Sequence, residues 1–197
     1  MLNSLSGVYP AGNKRSEGRE PKARRSCPEA RNLVNLLKDK NYYECMMDEK
    51  FKKTIKIIHK RLEYNKIKWA LVGSTNMQLQ GMNVSPHDLD VVVQLKDLEK
   101  TREIFSDYDA SAVKELKPLT DEPAWEVRME IDGVEVQIFA QMDTGAYVSK
   151  LLANKLVKMI LENVEIPCFT LEVEAQTYAE TNREHKAHLI QEFLKRA

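Results

Sequence analysis

Apolar side chains recur at two different spacings along this chain, and the spacing switches between helix-like and strand-like. Over residues 48–65 the apolar positions follow a helical repeat, comprising Phe51, Ile55, Ile58 and Leu62. Residues 69–72 form a short continuous apolar run that ends at Gly73, which is typical of a buried strand. The pattern therefore predicts a helix, capped by Asp48, that leads into a core strand.

The same spacings predict the order of the remaining elements. Helices are expected at 75–80, 97–106, 171–180 and 183–195. A further helix is expected from Gly145 through Glu162, and Ile166-Pro167 breaks its pattern. Strands are expected at 89–95, 125–131 and 134–140. Asp132-Gly133 joins the last two strands as a hairpin turn. This order predicts an α/β (α+β) fold, in which a mixed β-sheet is flanked by helices and followed by a C-terminal helical segment.

Composition divides the chain into three segments. Residues 1–45 open with clustered Gly, Pro and basic residues, and are expected to be a disordered or leader segment with a short helix. Residues 46–145 contain the predicted sheet, and residues 146–197 are expected to form a helical segment packed on it. The length of 197 residues suits one ordinary domain with such an appendage.

Charge and cysteine content narrow the function classes. Because 30 basic residues balance 30 acidic ones, only the basic N-terminal segment leaves a nucleic-acid partner open. Three cysteines without C-x-x-C spacing argue against a disulfide framework or a cysteine zinc site. No apolar run reaches membrane-spanning length and no signal-peptide region is visible, so a cytoplasmic protein without a membrane partner is expected.

Gly73-Ser74 stands where the first predicted strand meets a helix. Glycine allows the backbone to approach a phosphate closely, and the free amides at a helix start point at an anion. Ser74 can add a hydroxyl donor. The pair is therefore a candidate phosphate-binding turn.

Asp88 and Asp90 form the second candidate feature. Residues two apart on a strand project to the same face, so both carboxylates lie together while Leu89 and Val91 enter the core. Neighbouring carboxylates repel each other unless a cation lies between them. Mg²⁺, which takes one or two carboxylates and substrate phosphate oxygens, is the natural occupant.

Gly73-Ser74 followed by Asp88-x-Asp90 inside an apolar strand resembles the nucleotidyltransferase superfamily. The similarity covers about residues 48–195 and is closest to its small members, the minimal nucleotidyltransferases and the lincosamide or aminoglycoside nucleotidyltransferase-like proteins. It implies that residues 46–145 are a nucleotidyltransferase-like domain. It also implies that a nucleoside monophosphate moves from an NTP, ATP among them, to a hydroxyl acceptor with Mg²⁺ or Mn²⁺.

The resemblance also assigns roles to individual residues. It implies that Gly73 and Ser74 bind the NTP phosphates, that Asp88 and Asp90 hold the metal, and that one Asp assists deprotonation of the acceptor. Arg183 and Lys186, on a predicted C-terminal helix, are the further candidates for nucleotide binding. That helical C-terminus is compatible with a homodimer.

The strand predicted at 134–140 resembles the one that carries a third carboxylate in this superfamily, and at that third position this chain departs from the family pattern. The family-like spacing from Gly133 puts Gln137 there, and Gln137 carries no charge. Glu135, two residues earlier on the same face, is the candidate substitute as catalytic residue and metal ligand. Two hypotheses therefore stay open: an active nucleotidyltransferase, or a degenerate member that binds nucleotide as a regulatory or toxin–antitoxin module without turnover.

Overall fold

In the computed structural model, residues 47–116 and 123–196 are described. The helices are α1 Glu49–Tyr64, α2 Gly73–Leu79, α3 Leu95–Ile104, α4 Val148–Leu152, α5 Leu171–Glu180 and α6 Glu184–Arg196, with a 3₁₀ turn at Ser106–Tyr108. The strands are β1 Trp69–Val72, β2 Asp88–Gln94, β3 Lys114–Leu116, β4 Ala124–Ile131, β5 Val134–Gln141, β6 Leu156–Leu161 and β7 Val164–Phe169. The predicted leader 1–45 lies outside the described residues.

The seven strands form one mixed sheet in the order β3-β4-β5-β2-β1-β7-β6. β2 pairs with β5 and β1 with β7 in parallel, whereas the other neighbours are antiparallel. Helices flank this sheet, which confirms the predicted fold class, and α5 and α6 end the described chain. Among the described residues, no helix is both long and apolar enough to cross a membrane.

The two faces of the sheet carry different side chains. Leu89, Val91 and Val93 of β2 enter the main core, where they meet the buried stripe of α1 and Leu98 of α3. The opposite face carries Asp88 at one end and leads into a smaller apolar cluster beneath α4 and α5, which includes Ala70, Val72, Val92, Val148, Phe169 and Val173. Helices thus cover only part of that face, and the end of the sheet that carries Asp88 is available for a functional site.

The prediction of one helix from Gly145 through Glu162 is wrong. The observed helix α4 is short and ends at Leu152, and the chain then forms the hairpin β6–β7. Glu162 and Asn163 turn this hairpin with φ of 45° and 70°, the left-handed values that a two-residue type I′ turn requires. The segment 146–197 is therefore not wholly helical, since it adds two strands to the sheet.

Tertiary pairing explains that error. Ile160 is exposed while Leu161 is buried, which suits a strand, yet a short apolar run satisfies helical and strand periodicity equally well. β7 joins β1 through the pair Leu71–Cys168 and so extends the sheet by two strands. Ile166-Pro167, predicted to break a helix, lies inside β7. The short β3 was not predicted either.

The other predicted elements are confirmed, with ends within about two residues of those expected. Asp48 caps α1 by accepting a hydrogen bond from the Lys50 amide, and Thr170 caps α5 by accepting one from the Val173 amide. Asp132 and Gly133 turn the β4–β5 hairpin with φ of 52° and 76°. That hairpin sets the register of β5 beside β2, and so decides which side chain lies next to Asp90.

Candidate functional site

Asp90 lies at the junction of three strands. It pairs with Val72 at the end of β1 and with Gln137 on β5. A cleft opens here, and its walls include Val72, Gly73, Asp90, Gln137, Tyr178 and Arg183. Asp90 therefore shares one concave surface with the predicted phosphate turn and with one of the predicted cationic residues.

Gly73 packs directly against the Asp90 carboxylate. Its φ is +73°, and a Cβ built on it would lie 2.5 Å from Asp90 Oδ2. A side chain there would force the Asp90 carboxylate to move, and the positive φ disfavours one as well. The sequence predicted a glycine that approaches a phosphate, whereas the close approach within the protein is to Asp90.

The Gly73 amide is already hydrogen-bonded within the protein. Its N–H donates to Glu174 Oε1 at 2.8 Å, and the Asn76 side chain donates to the same oxygen at 2.8 Å. The first amide of α2 is therefore not free for an anion. Ser74 follows, half-buried, and its hydroxyl has no hydrogen-bond partner in the described part of the chain. Of the predicted turn, the Ser74 side chain is thus one group left to meet a ligand.

Glu174, on α5, is a fully buried carboxylate that sequence reasoning missed. Burial raises its pKa to about 7, although hydrogen bonds from Asn76 and Gly73 oppose the rise. Its second oxygen, Oε2, has no hydrogen-bond partner. The sequence carries one signal of this burial, because Glu174 lies on the face of α5 that Leu171 and Tyr178 make apolar. Glu174 ties α5 to the start of α2, and so helps to fix the backbone that Asp90 touches.

The two aspartates have no protein counter-charge in direct contact. Within residues 47–116 and 123–196, neither side chain accepts a hydrogen bond or forms an ion pair. Burial, and next the Asp88 charge, raise the pKa of Asp90 to about 7, while Lys186, Arg183 and Arg128 partly offset the rise. A half-buried carboxylate pair without donors is unfavourable unless a cation joins it.

The described residues contain no group of three acidic, histidine or cysteine side chains that could hold a metal ion by itself. Two carboxylates alone suit Mg²⁺, because this ion keeps several waters and is commonly bound through one or two carboxylates plus substrate phosphates. The donor set is therefore compatible with a cation that arrives together with a phosphate ligand.

Arg183 is held against aromatic rings at the cleft wall. Its guanidinium donates to the Tyr147 hydroxyl and lies 4.4 Å from the centroid of the Tyr178 ring. Lys186 Nζ lies 5.3 Å from the same centroid. Both cations act electrostatically on Asp90, so the structure brings these two predicted residues to the aspartate side. Tyr147 was not predicted as a site residue, and the Tyr178 position beside Arg183 only becomes evident in the folded chain.

Gln137 occupies the third position, as its register with Asp90 shows. Its amide Nε2 donates to Glu126 Oε2 at 2.6 Å. Arg128 Nε donates to the same Glu126 oxygen at 2.8 Å, and Arg128 Nη1 donates to Glu135 Oε1 at 2.6 Å. Glu135 lies beside Asp88 in register but is exposed and paired with Arg128.

Glu126 is the second functional candidate that sequence reasoning missed. It is 8% exposed, although Arg128 and Glu130 on the same face of β4 are exposed. The alternation of β4 assigned it to the polar face, which is typical of solvent-exposed residues. Only the pairing of β4 with β5 brings its carboxylate to Gln137.

Comparisons with known proteins concern the family and the fold of the chain. Residues 54–192 match the family described as aminoglycoside-2''-adenylyltransferase. A protein from Thermotoga maritima proposed to be a nucleotidyltransferase has a similar structure, with a TM-score of 0.61, 23% identity, and coverage of 77% of this chain and 97% of the other.

The solution structure of the antibiotic-resistance factor ANT(2'')-Ia is similar at a TM-score of 0.53 and 12% identity, covering 75% of this chain and 86% of the other. At these identities the two structures support the fold. No curated protein sequence matches the chain.

Proposed function

The chain belongs to the aminoglycoside-2''-adenylyltransferase family of nucleotidyltransferases, and on this premise we propose that it transfers a nucleoside monophosphate from an NTP to a hydroxyl acceptor with a divalent cation. The observation that carries the proposal is the carboxylate pair Asp88 and Asp90, which has no direct protein partner among the described residues and lies beside Gly73. Two charged carboxylates in this position repel each other, and a cation between them would remove that repulsion.

Asp88 and Asp90 would hold Mg²⁺ or Mn²⁺. When bound, the cation would neutralise phosphate charge and the charge that develops during transfer. The absence of a third acidic ligand close by makes the nucleotide phosphates part of the expected coordination, since no group of three metal-binding side chains occurs in the described chain. Metal and nucleotide should therefore bind together.

Arg183 and Lys186 are proposed to bind the anionic nucleotide. Arg183 is held by Tyr147 and stacked on Tyr178, so little side-chain entropy is lost when it contacts a phosphate. Lys186 acts on the same region as a point charge. The Ser74 hydroxyl is a further donor, whereas the role of Gly73 is to leave room for Asp90.

The chemistry follows from these positions. The acceptor oxygen forms a bond to the α-phosphorus, the bond from that phosphorus to the bridging oxygen breaks, and pyrophosphate leaves. One of the two aspartates is proposed to help remove the acceptor proton. Positioning and charge neutralisation supply most of the rate, as in phosphoryl transfer generally.

Calorimetry of a magnesium nucleotide tests this proposal. The full chain is titrated with Mg²⁺ and a non-hydrolysable α,β-methylene analogue of ATP, then with analogues of the other NTPs. Asp88→Asn and Asp90→Asn should each abolish the magnesium-dependent part of binding. Asp97→Asn, which removes the same charge from α3 on the opposite face of the sheet, is the matched control. Binding that is absent, or is unchanged by both site variants, would overturn the proposal.

The alternative function is nucleotide binding without turnover, which Gln137 at the third position favours. Pyrophosphate release with a panel of hydroxyl acceptors distinguishes the two. The family name makes aminoglycosides the first acceptors to test. Release with any acceptor, lost in Asp90→Asn, supports the transferase. A homodimer, cytoplasmic location and nucleic-acid contact through the N-terminal segment remain predictions, the first of which sedimentation analysis would check.

A further inference from the structure

The third position is where this chain departs from three acidic residues, and its surroundings indicate how the departure is compensated. Gln137 lines the cleft beside Asp90. Behind it, Glu126 is buried and accepts hydrogen bonds from both Gln137 and Arg128. The negative charge of Glu126 therefore lies directly behind Gln137, whereas the family pattern has an acidic residue at position 137 itself.

The orientation of the Gln137 amide is determined by chemistry. A carboxylate can only accept hydrogen bonds, so the amide nitrogen has to face Glu126 and the amide oxygen has to face away. That oxygen, Oε1, has no hydrogen-bond partner in the described part of the chain. It is therefore the end of Gln137 that remains available to the cleft.

Arg128 fixes the other side of this arrangement. It donates to Glu126 through Nε and to Glu135 through Nη1, so one guanidinium bridges two carboxylates. Charge-assisted bonds of this kind are short and directional, and they hold the Glu126 carboxylate in one place. Glu126 is thus a rigid acceptor for the Gln137 amide, whereas Glu135 is mostly exposed.

We propose that Gln137 Oε1 serves as the neutral third oxygen of the site, and that Glu126 is the positioning residue that turns this oxygen toward the cleft. The proposal rests on the proposed function, because the oxygen is expected to contact the magnesium nucleotide or the acceptor hydroxyl. A neutral oxygen would bind a cation more weakly than a carboxylate, yet it would keep the geometry of a three-oxygen site.

A double-mutant cycle tests the positioning role. An amide at position 126 can donate or accept, so Glu126→Gln no longer forces the orientation of Gln137. Binding of Mg²⁺ with the α,β-methylene analogue of ATP should weaken roughly tenfold, the loss expected for one charge-assisted hydrogen bond. In the Gln137→Ala background the same change should have no effect, because Glu126 would have nothing left to orient. Circular dichroism and thermal unfolding verify that each variant is folded.

Two further variants sharpen the test. Glu130→Gln removes a charge from the same face of β4, where Glu130 has no hydrogen bond to Gln137 in the described part of the chain, and it should leave nucleotide affinity unchanged. The exchange variant E126Q/Q137E restores a carboxylate at the cleft with an amide donor behind it, and it should bind the magnesium nucleotide at least as tightly as the wild type. It also provides a test if Glu126→Gln alone fails to fold.

Several results would overturn the inference. These are unchanged affinity in Glu126→Gln, an equal loss in the Gln137→Ala background, loss of binding in the exchange variant, or a larger loss in Glu135→Gln, which would make Glu135 the third ligand. Failure of the wild type to bind the magnesium nucleotide would instead refute the proposed function. The two failures are therefore distinguishable in one series of titrations.

Discussion

Replacing Gly73 by alanine should displace Asp90 and so separate site geometry from stability. The new Cβ would lie 2.5 Å from Asp90 Oδ2, whereas ordinary contact begins near 3.4 Å, so the carboxylate has to move by about 1 Å. The positive φ adds about 1 to 2 kcal/mol of strain. A displacement of about 1 Å at a reacting group can cost about 100-fold in rate. We therefore expect a fall of about 100-fold in kcat and a loss of about 2 kcal/mol in unfolding free energy.

Gly133→Ala is the matched control for this prediction. Gly133 has φ of +76°, nearly the same as Gly73, but an added Cβ would have no atom within 4 Å. The control should therefore lose about 1 to 2 kcal/mol in urea unfolding through the same backbone strain and retain its pyrophosphate release rate. The reasoning is refuted if Gly73→Ala keeps wild-type kcat, or if both variants lose activity equally.

Two further predictions concern the helices that cover the site. Because burial raises the pKa of Glu174 from 4.5 to about 7, protonation stabilises the folded chain, and unfolding free energy should fall by up to about 3 kcal/mol as pH rises from about 4.5 to 7. Glu174→Gln should reduce that slope in urea unfolding at pH 5 and 8, although Asp90 titrates in the same window; an unchanged slope would contradict the assignment. Arg183→Lys should raise the KM for NTP about tenfold with a smaller change in kcat, because lysine loses the planar stack on Tyr178 and the hydrogen bond to Tyr147. Lys195→Ala on the surface is the control. A KM that Arg183→Lys leaves unchanged would exclude Arg183 from nucleotide binding.

Much of the fold could be predicted because local sequence patterns indicate several of its helices and strands. The apolar stripe of α1 and the alternation in β4 each have a period that only one kind of element satisfies. The β6–β7 hairpin could not be predicted in the same way. Its apolar run suits a helix or a strand, and the choice depends on pairing with β1, which lies far away in sequence.

The candidate site likewise contains residues that local patterns could predict and residues that they could not. Asp88 and Asp90 are two apart on one strand, so alternation alone assigned them to a common face opposite Leu89. Gly73 was expected at the strand end, although for a phosphate rather than for the Asp90 carboxylate. Glu174 received no assignment: its place on the apolar stripe of α5 indicates burial, but no local pattern identifies its partners Gly73 and Asn76.

Three features of the site were predictable from residue type and spacing within single elements: the strand-to-turn junction at Gly73, the shared face of the aspartates and the unusual Gln137 at the third position. Their surroundings became known from the folded chain: Glu126 lies behind Gln137, Glu174 accepts from the Gly73 amide, and Arg183 is held between tyrosines. These contacts join residues from different elements, and strand register and helix packing, which no local pattern encodes, decide which side chains meet.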